Sequence, residues 1–151
     1  MGRSVTPMLL YGFNLGEGYW WEEEGQKPEW FNDEEYDFGE AFETAIEELV
    51  VGFTEEWPNP YTEEAMKAYR ERRLAAEAKA GVELAYVGYS EAESLFALVA
   101  KRMTDYTEDV EEQLTNFDKV KADANLWRAV EILQIPVDDQ VPHWWLDFNY
   151  G

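Results

Sequence analysis

Apolar residues recur every three or four positions in several stretches of the chain, which is the spacing of an amphipathic helix. One stretch begins at Phe38, where Asp37 and Glu40 have the spacing of a capping box. Another lies between Thr62, a helix-capping residue type, and Gly81, a residue type that commonly ends helices. The pattern predicts helices near residues 38–52, 63–80, 91–103 and 118–135, with a further helical stretch at 107–114. The predicted apolar stripe over residues 38–53 is Phe38, Phe42, Ala45, Ile46, Leu49 and Phe53, and that of the last helix is Val120, Ala124, Trp127, Val130 and Leu133.

Shorter apolar runs, bounded by turn-forming residues, predict strands near residues 8–13, 19–24 and 82–89. The intervening turn residues predict that the first two strands pair as a hairpin. Trp20 and Trp21 would then point to opposite faces, because adjacent side chains alternate across a strand. The aromatic stretch at residues 137–151 is expected to pack back on the core as a final strand or cover, or else to contact a partner or second copy.

Composition agrees with a folded chain. Of the 151 residues, 46% are hydrophobic and 16% aromatic, and no glycine- and serine-rich linker divides them. We therefore expect one acidic globular domain over residues 1–151. Its predicted fold class is α+β, with a small, mostly antiparallel sheet covered on one side by about four helices. The short apolar run near the N-terminus resembles neither a signal peptide nor a membrane span, so a soluble, cytoplasmic protein is expected.

Charge is distributed unevenly in a chain whose net charge is −21. Residues 1–66 hold 17 acids and two bases, a net of −15, whereas residues 67–151 hold 16 acids and ten bases, a net of −6. Such a field repels nucleic acid and anionic membranes and attracts basic surfaces. The predicted helix at 63–80 is locally basic. It is expected to neutralise the acidic face beside it, the alternative being a nucleic-acid patch.

The most acidic stretch, residues 17–48, contains 13 acids, eight aromatic residues and Lys27 as its only base. Acids three and four positions apart on a helix lie about 5 to 6 Å from one another, so residues 40–47 can present a row of carboxylates. Tryptophan is over-represented among the residues that anchor interfaces. The predicted partner-binding residues are Glu22, Glu23, Glu24, Asp33, Glu34, Glu35, Glu40, Glu43, Glu47, Trp20, Trp21, Trp144 and Trp145.

Residue types for familiar chemistry are scarce. His143 is the only histidine, cysteine is absent, and the few serines do not form a nucleophile elbow. No glycine-rich phosphate-binding loop occurs either. The sequence therefore predicts a protein that is not an enzyme, with no catalytic residues, no cofactor and no metal site.

Two functional hypotheses remain. The first is an acidic inhibitor or decoy that occupies the nucleic-acid-binding surface of a basic protein, such as a nuclease or another nucleic-acid-handling protein. In size and charge the chain resembles small phage-coded anti-defence proteins and nuclease-immunity proteins. The alternative is a small structural or assembly protein that uses exposed aromatic residues for docking or self-association, for example as a homodimer. Salt separates the two hypotheses, since charge-led binding weakens as salt rises and aromatic docking does not.

Overall fold

The computed structural model describes residues 5–22, 26–32, 37–88, 95–104, 110–137 and 139–150. Four strands form one antiparallel sheet: β1 (Val5–Gly16), β2 (Glu83–Val87), β3 (Leu95–Met103) and β4 (His143–Tyr150). Their order in the sheet is β2-β3-β1-β4. Strands and helices together confirm the predicted α+β class.

The helical elements begin at α1 (Phe38–Ala45), which continues into a π-helical turn (Ile46–Val51). They continue with α2 (Glu63–Ala80), α3 (Val110–Thr115) and α4 (Lys119–Leu133). Side chains cap three of these helices: Asp37 accepts from the Glu40 N–H, Thr62 from the Ala65 N–H and Asp118 from the Lys121 N–H. The observed bounds of α2 match the predicted ones, because both of its ends are marked by strong local signals.

The sheet curls, so its two faces bury two separate core clusters. Although β2 and β4 lie at opposite ends of the strand order, the Gly88 N–H donates to the Phe148 carbonyl at 3.0 Å. Within the curl lies a small cluster that includes Met8, Leu10 and Val99. The opposite face, which includes Tyr11 and Phe13, packs against α1 and α4 in the larger cluster.

Close approach of backbones fixes one residue at the centre of the sheet. Gly12 has φ +159° and lies at an irregularity in the pairing of β1 with β3. A Cβ atom built on Gly12 would overlap the Leu98 carbonyl oxygen. Only glycine fits here without moving β3.

The predicted hairpin is wrong. Residues 8–13 do belong to β1, but β1 pairs with β3 and β4, both distant in sequence. Gly16, the last residue of β1, and the following Gly18 and Tyr19 all adopt positive φ and turn the chain away from the sheet. Residues 20–22 then form a 3₁₀ turn that packs on the larger core cluster, and residues 23–24 lie outside the described part of the chain.

The predicted helix at 91–103 is also wrong. Residues 95–103 form β3, while residues 91–94 lie outside the described ranges. Leu95 to Ala100 is a continuous apolar run, which a buried strand and a buried helix segment can both produce. Burial between β1 and β2 selects the strand. The prediction that the C-terminal stretch packs back as a strand is confirmed by β4.

The buried face of α4 differs from the predicted apolar stripe. Val120, Ala124 and Trp127 of that stripe are exposed, while its Val130 and Leu133 are buried. The other buried residues of this helix are Ala122, Leu126 and Ala129. Two sets of residues on this helix have helical spacing. The two sets share Val130 and Leu133, and the set that faces the core is the one that includes Ala122, Leu126 and Ala129.

Candidate partner-binding surface

A row of glutamates crosses the outer face of α1 and the π-helical turn. The apolar side of this segment, which includes Phe38, Phe42 and Ile46, is buried in the larger core cluster. The exposed side carries the acids that we call the acidic ridge: Glu40, Glu43, Glu47 and Glu48. Amphipathic folding therefore turns part of the most acidic stretch outward as a fixed surface.

The predicted acidic site residues fall into two groups. Glu22, Glu40, Glu43 and Glu47 are exposed, and the last three share the acidic ridge. The remaining predicted acids lie outside the described residues: Glu23, Glu24, Asp33, Glu34 and Glu35. The ridge is thus the part of the predicted acidic face whose geometry is defined.

Helix α2 neutralises part of this ridge, as predicted. Arg73 lies 3.3 Å from Glu47 and 3.3 Å from Glu77, while Arg72 lies 2.8 Å from Glu55. Both arginine side chains are substantially exposed, so these pairs contribute little to stability. Among the described residues, no ion pair involves Glu40, Glu43 or Glu48.

Burial, together with acids at and beside the ridge, raises the pKa of a neighbouring phenol. The pKa of Tyr86 is raised above the ordinary tyrosine value, first because the side chain is partly buried. The carboxylates of Glu43, Asp37 and Glu40 raise it further, since they disfavour the phenolate. These carboxylates therefore act electrostatically on Tyr86 of the adjoining strand β2.

Two concave surfaces flank the ridge. The first, which we call the acidic cleft, has a volume of about 490 Å³ and lies between the ridge, the end of α2 and strands β2 and β3. Its glutamates are Glu43, Glu47, Glu77 and Glu83. Three of these four already have arginine partners, because Arg102 lies 3.5 Å from Glu83 and Arg73 contacts the other two. Among the described residues, no three acidic or histidine side chains converge to hold a metal ion.

On the other side of the ridge lies a second concavity, of about 470 Å³, which we call the apolar groove. Trp30, Leu49 and Ile132 form its apolar walls, together with the alanines of α1. Glu29 and Glu48 also line it. Its size falls within the usual range of ligand pockets, about 300 to 1,000 Å³.

Trp20 and Trp21 both pack into one aromatic cluster rather than on opposite faces. Trp20 lies 5.5 Å from Phe38 between ring centroids, and Trp21 lies 4.8 Å from Phe31. The alternation expected of a strand fails because these residues form a 3₁₀ turn. Both side chains are partly buried.

Trp144 and Trp145, by contrast, do lie on opposite faces of a strand. Trp144 contacts Tyr11 and Phe117, each at 5.0 Å between ring centroids, in the larger cluster. Trp145 packs on the smaller cluster and donates its indole N–H to Asp147 at 3.2 Å. All four predicted anchor tryptophans are therefore partly buried against a core cluster. Trp144 and Trp145, which lie on β4, are separate from the acidic ridge on α1 and the π-helical turn.

Other apolar side chains are more exposed than these four tryptophans, and the sequence did not predict them as surface residues. Trp57 is 58% exposed, Leu49 48% and Ile132 38%. Leu49 belongs to the apolar stripe predicted for residues 38–53, and its exposure gave no signal in the sequence. Ile132 stands outside the predicted stripe of α4, which was the one available hint.

Comparisons with protein-family models, with curated proteins and with solved structures find no match. No helix among the described residues has the length and apolar character needed to cross a membrane. The function is therefore inferred from the ridge and the surfaces beside it.

Proposed function

We propose that the protein is an acidic inhibitor or decoy that binds a basic protein and occupies its nucleic-acid-binding surface. The observation that carries the proposal is the acidic ridge, a row of exposed carboxylates held on a helix whose other side is anchored in the core. Arginine and lysine side chains that contact phosphates also form strong, charge-assisted hydrogen bonds with carboxylates. A rigid row of glutamates can therefore take the place of a phosphate backbone.

Net charge supports the same proposal. At −21, the chain generates a long-range field that steers basic partners toward it and keeps nucleic acid and anionic membranes away. The expected partner is a nuclease or another nucleic-acid-handling protein, and the protein itself performs no chemistry in this proposal. Direct contact with nucleic acid is not expected.

The test combines capture with competition. The protein is immobilised, and basic proteins from the source cell are captured on it at low salt. Each captured partner is then loaded with labelled nucleic acid, and the acidic protein is added in solution to measure how much nucleic acid it displaces. A ridge variant, Glu40→Gln with Glu43→Gln and Glu48→Gln, should weaken the displacement of nucleic acid. A control variant with the same loss of charge, made at exposed glutamates elsewhere, should retain it: Glu56→Gln, Glu71→Gln and Glu131→Gln.

Simultaneous binding of the captured protein to nucleic acid and to this protein would refute the decoy proposal. Equal losses in the ridge variant and in the control variant would refute the assignment to the ridge, because they would show that only total charge matters. Circular dichroism establishes that both variants fold.

A second candidate function, assembly through apolar contacts, rests on the edge strand β4. Leu146 is 66% exposed and Phe148 is 37% exposed on this strand. Two copies that each carry a charge of −21 repel one another, so self-association should strengthen as salt rises. Binding to a basic partner should weaken instead. Sedimentation velocity at low and high salt separates the two functions.

A further inference from the structure

The apolar groove exposes large hydrophobic side chains beside a highly charged surface. Leu49 and Ile132, which face solvent to 48% and 38%, both line it, together with Trp30. Single exposed apolar residues are ordinary, whereas apolar side chains that line a concave surface are typical of ligand pockets. The groove lies next to the acidic ridge and shares Glu48 with it.

The walls of the groove are preformed. The Trp30 indole N–H donates to the Leu133 carbonyl at 2.8 Å, and the Trp30 ring lies 5.7 Å from that of Phe42 between centroids. The Glu29 N–H donates to the Gln134 side chain at 3.4 Å, which ties the loop to the end of α4. A side chain that enters such a groove does not have to order it, so less conformational entropy is lost on binding.

Charge complementarity limits what can occupy the groove. Glu29 and Glu48 line it, both are exposed, and neither takes part in an ion pair within the described residues. An apolar side chain with acidic neighbours would meet repulsion here. An apolar side chain with arginine or lysine neighbours would place those cations beside the two carboxylates.

We propose that the apolar groove receives an apolar side chain of the basic partner, from a segment in which that side chain is flanked by arginine or lysine. This inference rests on the proposed function and adds a means of retention to it. Exposed ion pairs contribute little each, whereas a buried apolar anchor at an interface contributes much. The ridge then accelerates association and the groove slows dissociation.

Three labelled nine-residue peptides provide the probe. The first has a central leucine with four arginines on each side, the second has alanine at the centre, and the third has the leucine with glutamines instead of arginines. Affinity is measured by fluorescence anisotropy, and the methyl resonances of Leu49 and Ile132 are followed by NMR. The leucine–arginine peptide should bind about tenfold more tightly than its alanine twin and shift those resonances. The glutamine peptide should bind most weakly.

Protein variants locate the effect. Leu49→Ala should abolish the preference for leucine over alanine, and Thr44→Lys, which adds a cation to the groove lining, should weaken both arginine peptides. Leu74→Ala is the matched control, because Leu74 is an exposed helical leucine outside the groove, 64% exposed against 48% for Leu49, and it should leave the preference intact. All three positions are exposed, and folding is checked by circular dichroism.

The outcomes distinguish the two proposals. If both arginine peptides bind equally, and the ridge variant weakens both, the groove proposal is wrong while charge-led binding stands. If neither arginine peptide binds better than the glutamine peptide, the groove proposal and the proposed function both fail. A leucine preference that survives Leu49→Ala also overturns the groove as its source.

Discussion

Replacing Tyr11 with phenylalanine should destabilise the protein near pH 7 through the loss of one hydrogen bond. The buried Tyr11 hydroxyl donates to the Asp123 carboxylate at 2.5 Å, and Lys119 contacts the other oxygen of that carboxylate at 2.6 Å. Hydrogen bonds to charged groups contribute about 1.5 to 3 kcal/mol. Because Asp123 is 24% exposed and water can replace the lost donor, we expect about 1 to 1.5 kcal/mol for Tyr11→Phe.

The loss should depend on pH in a defined direction. Burial raises the pKa of Asp123, but the hydrogen bonds from Lys119 and Tyr11 outweigh burial, and the pKa is lowered below 3.8. Since the folded-state pKa is below the unfolded one, the stabilisation is fully present above the unfolded pKa and is lost as pH falls through the folded pKa. The difference between wild type and Tyr11→Phe should therefore shrink when pH is lowered from about 7 to about 3.

Urea denaturation at the two pH values measures this difference. Tyr61→Phe is the control, because Tyr61 is 64% exposed and its hydroxyl is available to water in both states. It should change the free energy of unfolding by less than about 0.3 kcal/mol at either pH. A similarly small change for Tyr11→Phe near pH 7, or an equal loss at both pH values, would refute the assigned role of the hydrogen bond.

Three further predictions concern stability. Gly12→Ala should lower the free energy of unfolding by about 2 to 3 kcal/mol, or prevent folding, because the added Cβ atom overlaps the Leu98 carbonyl. Gly52→Ala, which has open space around it but φ +68°, should lower it by about 1 kcal/mol, and thermal denaturation measures both. Trp144→Ala should lower the free energy of unfolding by about 3 kcal/mol, and Trp57→Ala should lower it by less than about 1 kcal/mol. Equal losses for the two variants in urea denaturation would contradict the burial of Trp144 and the exposure of Trp57. The melting temperature should rise between about 0.01 M and about 0.5 M salt, since screening reduces self-repulsion at a net charge of −21; a flat or falling profile would argue against it.

Local signals in the sequence were sufficient to predict the position of several elements. Thr62 and Gly81 bound α2 at the predicted residues because capping is a short-range effect. Fold class followed from the mixture of helical and strand-like patterns. The pairing of the strands could not be predicted, because β1 pairs with segments about 90 and 140 residues away and no local signal encodes that pairing.

The geometry of residues 46–51 explains why the apolar groove was not predicted from the sequence. The predicted stripe on residues 38–53 assumes a regular α-helix, but the chain adopts a π-helical turn at Ile46–Val51, with the Gly52 N–H donating to the Glu47 carbonyl. Each residue added to a turn rotates the following side chains, so the spacing that buries Phe38 and Phe42 leaves Leu49 exposed. The acids of the ridge were predictable, since they stand away from the buried stripe in either geometry.

The most direct test of the central claim is the salt dependence of binding to the captured basic protein, measured for wild type, the ridge variant and the matched charge control. Affinity of the wild type should fall by more than about tenfold between about 0.05 M and about 0.5 M salt. The ridge variant should bind more weakly at low salt with a flatter dependence, while the control should follow the wild type. An affinity that does not change with salt, or identical curves for the ridge variant and the control, would contradict the account.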